Sequence, residues 1–116
     1  MNPQELTSSK IATMSNHELF KLAHGLKENM DVALNLYQTA ANRGHANAQN
    51  TLGCFYRTGE AGLEKDVDTA KDWFLRSAEQ GFFIAYYNLG QMYFDNKEYL
   101  NAIKWFTKIS NVETFT

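Results

Sequence analysis

The sequence predicts an all-α fold: an α-solenoid of about three antiparallel helical hairpins. Two observations carry that reading. The first is repetition. Moving the stretch 44–81 forward by thirty-seven residues takes Gly44 to Gly81, Ala48 to Ala85, Leu52 to Leu89, Gly53 to Gly90 and Tyr56 to Tyr93. Moving it back by the same amount takes Ala70 to Ala33, Trp73 to Leu36, Phe74 to Tyr37 and Ala78 to Ala41. A fixed period of this size marks an array whose units bury their apolar faces only against neighbours. The second is local spacing. Ala48, Leu52 and Tyr56 are four apart, and Ala70, Trp73, Phe74, Ser77 and Ala78 follow the i, i+3, i+4, i+7, i+8 stripe of an amphipathic helix. Between the two runs, Thr58-Gly59-Glu60-Ala61-Gly62 is rich in turn residues, so the unit closes as a hairpin.

Taken in order, residues 1–14 form an N-terminal arm or short capping helix over the first hairpin. Pro3 is harmless in a first turn, and Leu6, Ile11 and Met14 are the apolar residues available for packing. Residues 15–116 form the repeat domain, with hairpins at about 15–43, 45–80 and 82–111. Ser15-Asn16-His17-Glu18 reads as a capping box that starts a helix through Leu19, Leu22, Ala23 and Leu26. A second helix follows Asp31, runs to about Asn42 and stops at Gly44. The third spans about His45 to Thr58 and the fourth about Val67 to Gln80. Asp66 and Asp68 suit the positive end of that fourth helix, and Asp72 and Arg76 are spaced as a surface pair. Glu60, Glu64, Asp66 and Asp68 do not match a calcium loop, and capping is the stronger reading. The fifth helix covers about Phe83 to Asp95 and the sixth about Glu98 to Ser110. Gly53 and Gly90 fall inside helices, where glycine costs roughly 1 kcal/mol relative to alanine. A partner helix passing too close for a side chain explains them. On the last helix, Asn101, Lys104, Lys108 and Asn111 make a polar stripe, the soluble outer face expected where an array ends.

The order Ala48…Leu52-Gly53…Tyr56…Gly59…Leu63…Asp66…Ala70…Trp73-Phe74…Ala78…Gly81 resembles the Sel-1-like repeat, a relative of the tetratricopeptide repeat. The resemblance covers about three units, from near Ser15 onward, and implies a right-handed α-solenoid. Leu63 stands in place of the usual valine and Ser77 in place of an alanine. The third unit has only Asp95-Asn96-Lys97-Glu98-Tyr99 between its helices. The first is degenerate, with Leu22-Ala23-His24-Gly25-Leu26 where LG-x-x-Y would stand.

Composition bounds the function. Net charge is −2, with five Lys/Arg against four Asp/Glu in residues 1–58 and six against nine in 59–116. That balance does not favour nucleic acid. The single cysteine, Cys54, cannot form an internal disulfide, no secretory signal opens the chain, and no window reaches the length of a membrane span. These features point to a cytoplasmic protein without membrane association. Three histidines and one cysteine offer no catalytic grouping. His17 and His24 are two helical turns apart, about 10 Å by helix rise, too far to share a metal. No cofactor and no metal is expected. Trp73, Phe74, Trp105 and Phe106 are in core register.

In related hairpin arrays the first helix of each unit lines a concave groove. The resemblance therefore places Asn47, Asn50, Cys54 and Arg57 on that groove, then Ile84, Tyr87, Gln91 and Phe94. From the first hairpin it adds His17, Phe20, His24 and Lys27. The expected function is a non-catalytic protein–protein interaction module, an adaptor or scaffold. It would bind another protein through the concave groove, or act as an immunity or inhibitor protein toward a toxin or effector. The alternative is a regulatory small-ligand-binding subunit, with Tyr87, Gln91, Arg57 and His24 converging on a pocket. A monomer, or a weak dimer through an array end, is expected, with the degenerate first hairpin the favoured end.

Overall fold

The computed structural model describes residues 6–26 and 28–113, with side chains to residue 110. It is built of helices: α1 Ser8–Thr13, α2 Asn16–Gly25, α3 Met30–Asn42, α4 Ala46–Thr58, α5 Val67–Glu79, α6 Phe83–Asp95 and α7 Tyr99–Glu113. Successive helices pack on one another, pairing as α2–α3, α4–α5 and α6–α7. The stack measures 48 × 33 × 19 Å with a radius of gyration of 15.4 Å. A compact chain of this length would have a radius of about 13 Å, so the fold is elongated, as stacked hairpins require.

Local chemistry sets the helix starts. Ser15 and Glu18 exchange reciprocal bonds, each backbone N–H donating to the other's side chain at 3.1 Å. Asp66 caps α5: one carboxylate oxygen accepts from the Thr69 N–H at 3.1 Å and the other from the Thr69 hydroxyl at 2.7 Å. His45 caps α4 through Nδ1, which accepts the Ala48 N–H at 3.2 Å, so that helix begins at Ala46 rather than at His45. After α3 and α5 the chain turns through left-handed glycines, Gly44 at φ 97° and Gly81 at φ 84°, a conformation other residues adopt at a cost. The last helix starts at Tyr99 and continues to Glu113, past the expected Ser110.

Two apolar clusters fill the stack. One joins α2, α3 and α4 through Leu19, Ala23, Ala33, Leu36, Tyr37, Ala40, Ala41, Ala48 and Leu52. The other joins α5 and α6 through Ala70, Phe74, Ala78, Ala85, Leu89 and Met92. The two helix-interior glycines are explained directly. A β-carbon on Gly53 would stand 2.5 Å from Phe74, and one on Gly90 would stand 2.5 Å from Phe106. In the first hairpin buried Ala23 stands where the others have this glycine, and Tyr37 packs edge-on against Phe20.

The first hairpin is covered. Leu6, Ile11 and Met14 pack against its core, and the Arg43 guanidinium donates to the carbonyls of Met14 at 2.8 Å and Ile11 at 3.3 Å, tying α1 down. Pro3 and Lys27 lie outside the described residues. One expectation is corrected. Arg76 lays its guanidinium over the Trp73 ring, 4.7 Å from the centroid, instead of reaching for Asp72. Trp73 and Trp105 hold their core register as half-buried rings packed against the two clusters, and Lys104 and Lys108 sit over Trp105 at 6.0 and 5.3 Å. Stacking lets each cation keep its charged tip in water while its stem covers the ring.

Candidate interaction face

The first helices of the three hairpins, α2, α4 and α6, carry the residues singled out from the sequence. Phe20 is half-buried and His24 exposed on α2. Together with Asn47, Thr51 and Phe55 of α4, and Met30 and Tyr37 of α3, they line an open cleft of about 540 Å³. Aromatic packing fixes its walls. The Phe20 ring lies 5.6 Å from Tyr37 and 5.2 Å from His45, and Tyr37 meets Phe55 edge-on at 5.5 Å. The Tyr37 hydroxyl is 3.4 Å from His24 Nδ1, which gives the cleft a polar end. Burial pushes the Tyr37 phenol above its usual range. An apolar concavity with a few placed polar groups is the common form of a binding site.

Further along, Asn50 and Arg57 meet a residue that the sequence reading did not select. Asn88 of α6 donates from Nδ2 to the Asn50 side-chain carbonyl at 2.9 Å and accepts from Arg57 at 3.4 Å. Arg57 also lies over the Phe74 ring, 5.6 Å from its centroid. Asn50 and Asn88 are both buried, so they spend their hydrogen-bonding capacity on holding α4 to α6. Three more bonds tie α4 to its other neighbours: from the α5 side, Ser77 hydroxyl to the Ala46 carbonyl at 2.8 Å and Gln80 to Gln49 at 2.9 Å, and toward α3, Gln49 to the Ala41 carbonyl at 3.1 Å. Ser77 thus departs from alanine because its hydroxyl has an acceptor at the start of α4, the first helix of its own hairpin. No buried side-chain polar atom among the described residues lacks a partner. The available signal for Asn88 was its place in an otherwise apolar run, Ile84-Ala85-Tyr86-Tyr87-Asn88-Leu89.

The remaining selected residues lie on α6. Ile84, Tyr87 and Phe94 are exposed, and Gln91 is half-buried, donating to Asp95 at 3.0 Å. Tyr87 and Phe94 lean toward α7: the Tyr87 ring is 6.1 Å from Phe106 and the Phe94 ring 5.4 Å from Tyr99. The imagined convergence of Tyr87, Gln91, Arg57 and His24 does not form. His24 lines the cleft just described, whereas Arg57 borders a different hollow of about 340 Å³ with Lys71, Tyr93 and Glu98.

Cys54 is mostly buried, its sulfur 4.0 Å from Asn88 Nδ2. Burial pushes its thiol up, with Glu60 adding to the rise and Arg57 opposing it; a thiol held protonated is a poor nucleophile. No group of three or more His, Cys, Asp or Glu among the described residues could hold a metal ion. No described helix is long and apolar enough to cross a membrane.

Comparison with known proteins agrees with this architecture. The model of the Sel1 repeat matches residues 17–45, 46–82 and 84–111, one match for each hairpin. The chain belongs to the Sel1 repeat family. Among curated Sel1 repeat proteins, one named for its sel1-like repeats, L21 of Acanthamoeba polyphaga mimivirus, is 41% identical over 61 residues, covering 53% of this chain. Among solved structures, it is similar to c5321, a protective antigen present in uropathogenic Escherichia coli strains displaying an SLR fold. The TM-score is 0.77 and the identity 29%, over 90% of this chain. The chain spans only 11% of the length of the viral protein and 24% of the bacterial one. It is a helical Sel1 repeat module of the tetratricopeptide-like class.

Proposed function

We propose that this Sel1 repeat module holds a segment of a partner protein along the face made by α2, α4 and α6. The observation that carries the proposal is the cleft of Phe20, His24, Asn47 and Phe55, an aromatic-walled concavity on the helices that line the groove in related arrays. Ile84, with Tyr87, Gln91 and Phe94, extends the same face onto α6. Half-buried aromatics held rigid by their neighbours present contact area at little entropic cost, the property of interface anchors. The buried Asn50–Asn88 bond fixes the spacing between α4 and α6, so a partner meets a preformed surface.

The test is affinity capture from the source cells with wild-type protein and an Asn47→Glu variant. Asn47 lies in the first turn of α4, where an added carboxylate suits the helix dipole and leaves the fold intact. One partner retained by wild type and lost by the folded variant supports the reading. Retention by both places the binding surface elsewhere. Assaying the captured partner's own activity with and without the module separates an adaptor from an inhibitor of a toxin or effector. The cleft volume also favours a second reading, a small regulatory ligand, since such sites commonly span about 300–1,000 Å³. A ligand of that kind would raise the melting temperature in a thermal-shift screen.

A further inference from the structure

All three histidines of the chain bear on one wall of the cleft, the Phe20 ring. His24 stacks on that ring, with centroids 6.1 Å apart and planes at 17°, and His45 packs on it at 5.2 Å. His17 stands one turn before Phe20 on α2, and its charge acts on His45.

His45 does two things at once. Its Nδ1 accepts the Ala48 N–H and closes the first turn of α4, while its ring supports Phe20. Asn47, which lines the cleft, sits in the turn so closed. A protonated imidazole carries a hydrogen on both nitrogens and accepts from neither. Nδ1–H would then face the Ala48 N–H, donor against donor, and flipping the ring offers no acceptor. The ring has to leave Ala48. In leaving, it withdraws its support from Phe20 and frees the turn that holds Asn47. His24 differs, because its partner, the Tyr37 hydroxyl, both donates and accepts. Protonation there reverses a bond without breaking it.

The surroundings give a charged His45 nothing in return. From α2 come His17 and, across Phe20, His24, while Glu18 is taken by the Ser15 N–H. From α3 come Tyr37 and Arg43, whose guanidinium is spent on the Met14 and Ile11 carbonyls. Helix α5 touches the start of α4 through Ser77 and carries Glu79 and Arg76 there, the latter laid over Trp73. Helix α4 itself has no other charged residue before Arg57. Of these groups, His17 is the one whose charge shifts His45, and it acts with burial to disfavour the proton.

We propose that the cleft is acid-sensitive: it keeps its shape while the His45 ring is neutral, and it loosens between Phe20 and Asn47, releasing a bound segment, when that ring takes up a proton. The capped form is complete above the unfolded histidine value of about 6.5 and is lost as the pH falls through the lower folded value. Release of a segment rests on the cleft being the partner site; the change at His45 does not.

NMR of the isotope-labelled full chain, titrated from about pH 7.5 to pH 5 with no partner present, tests the device. The Ala48 amide resonance should move along the same curve as the His45 ring protons, and the Overhauser contact between the Phe20 and His45 rings should vanish along it. Leu89, fully buried in the other cluster, should stay in place. In His45→Asn, whose side chain caps without titrating, the Ala48 amide should stay fixed over the whole range. An Ala48 resonance that does not move in wild type overturns the proposal, as does a ring contact that outlasts the titration. So does the same movement of Ala48 in His45→Asn, or a Leu89 that moves with it, which would be unfolding of the whole stack. Because no partner is present, failure here strikes this inference alone, whereas a partner retained by the Asn47→Glu variant strikes the cleft reading.

Discussion

The Phe74 ring lies so close to the bare backbone of Gly53 that a β-carbon there would be 2.5 Å from its edge. Phe74 is fully buried and has nowhere to withdraw. Gly53→Ala should therefore destabilise the fold: overpacking costs about 1–3 kcal/mol, which exceeds the roughly 1 kcal/mol that alanine returns in helix propensity. Gly90→Ala meets the same clash with Phe106, but that ring is half-buried and can swing outward. Urea denaturation should show the larger loss for Gly53→Ala.

The Asn50–Asn88 bond is the second pressure point. Asn88→Ala leaves the buried Asn50 amide without its donor and should cost about 1–3 kcal/mol. Asn50→Ala on top of it should add less than its cost alone, because the two act on one bond. Additive losses in a double-mutant cycle would contradict this.

His45 predicts a pH dependence. Burial lowers its pKa, with the charge of His17 adding to the effect, and its Nδ1 must be unprotonated to accept the Ala48 N–H. The folded pKa lies below the unfolded value of about 6.5, so its contribution is complete above that value. It is lost as pH falls through the folded pKa. Asparagine caps without titrating in this range. Melting curves of His45→Asn should fall less steeply between about pH 7 and pH 5 than those of wild type. Glu18 and Asp66, whose carboxyls are held below their usual range by hydrogen bonds from Ser15 and Thr69, act only at lower pH and are present in both proteins.

Lys97 turns the chain between α6 and α7 in the left-handed region, at φ 63°. Left-handed backbone costs a side-chain-bearing residue about 1–2 kcal/mol, part of which glycine returns to the flexible unfolded chain. Lys97→Gly should stabilise the protein by about 0.5–1 kcal/mol, read as a raised urea midpoint at an unchanged slope.

The hairpins were legible because their signals are local. Leu52-Gly53 and Ala70…Phe74 announce an amphipathic pair, and an interior glycine implies a close neighbour whichever ring supplies it. Ser15 and Asp66 likewise declared their caps within three residues. The seam was not legible, because Asn50 and Asn88 meet across thirty-eight positions and no spacing rule links them. Arg76 was misassigned because an i, i+4 acid and an i−3 tryptophan compete for it, and stacking on the ring won. Phe106 read as core register and is half-buried, because how far a ring in that register is covered depends on the elements packed around it and not on its spacing.

The central claim is that a partner protein lies against α2, α4 and α6. Photo-cross-linking tests it most directly, with a photoreactive residue placed either at Asn47 in the cleft or at Asp72, exposed on α5. The account predicts a discrete heavier adduct with one partner from Asn47 and none from Asp72. An adduct formed equally from both positions, or from Asp72 alone, would contradict it.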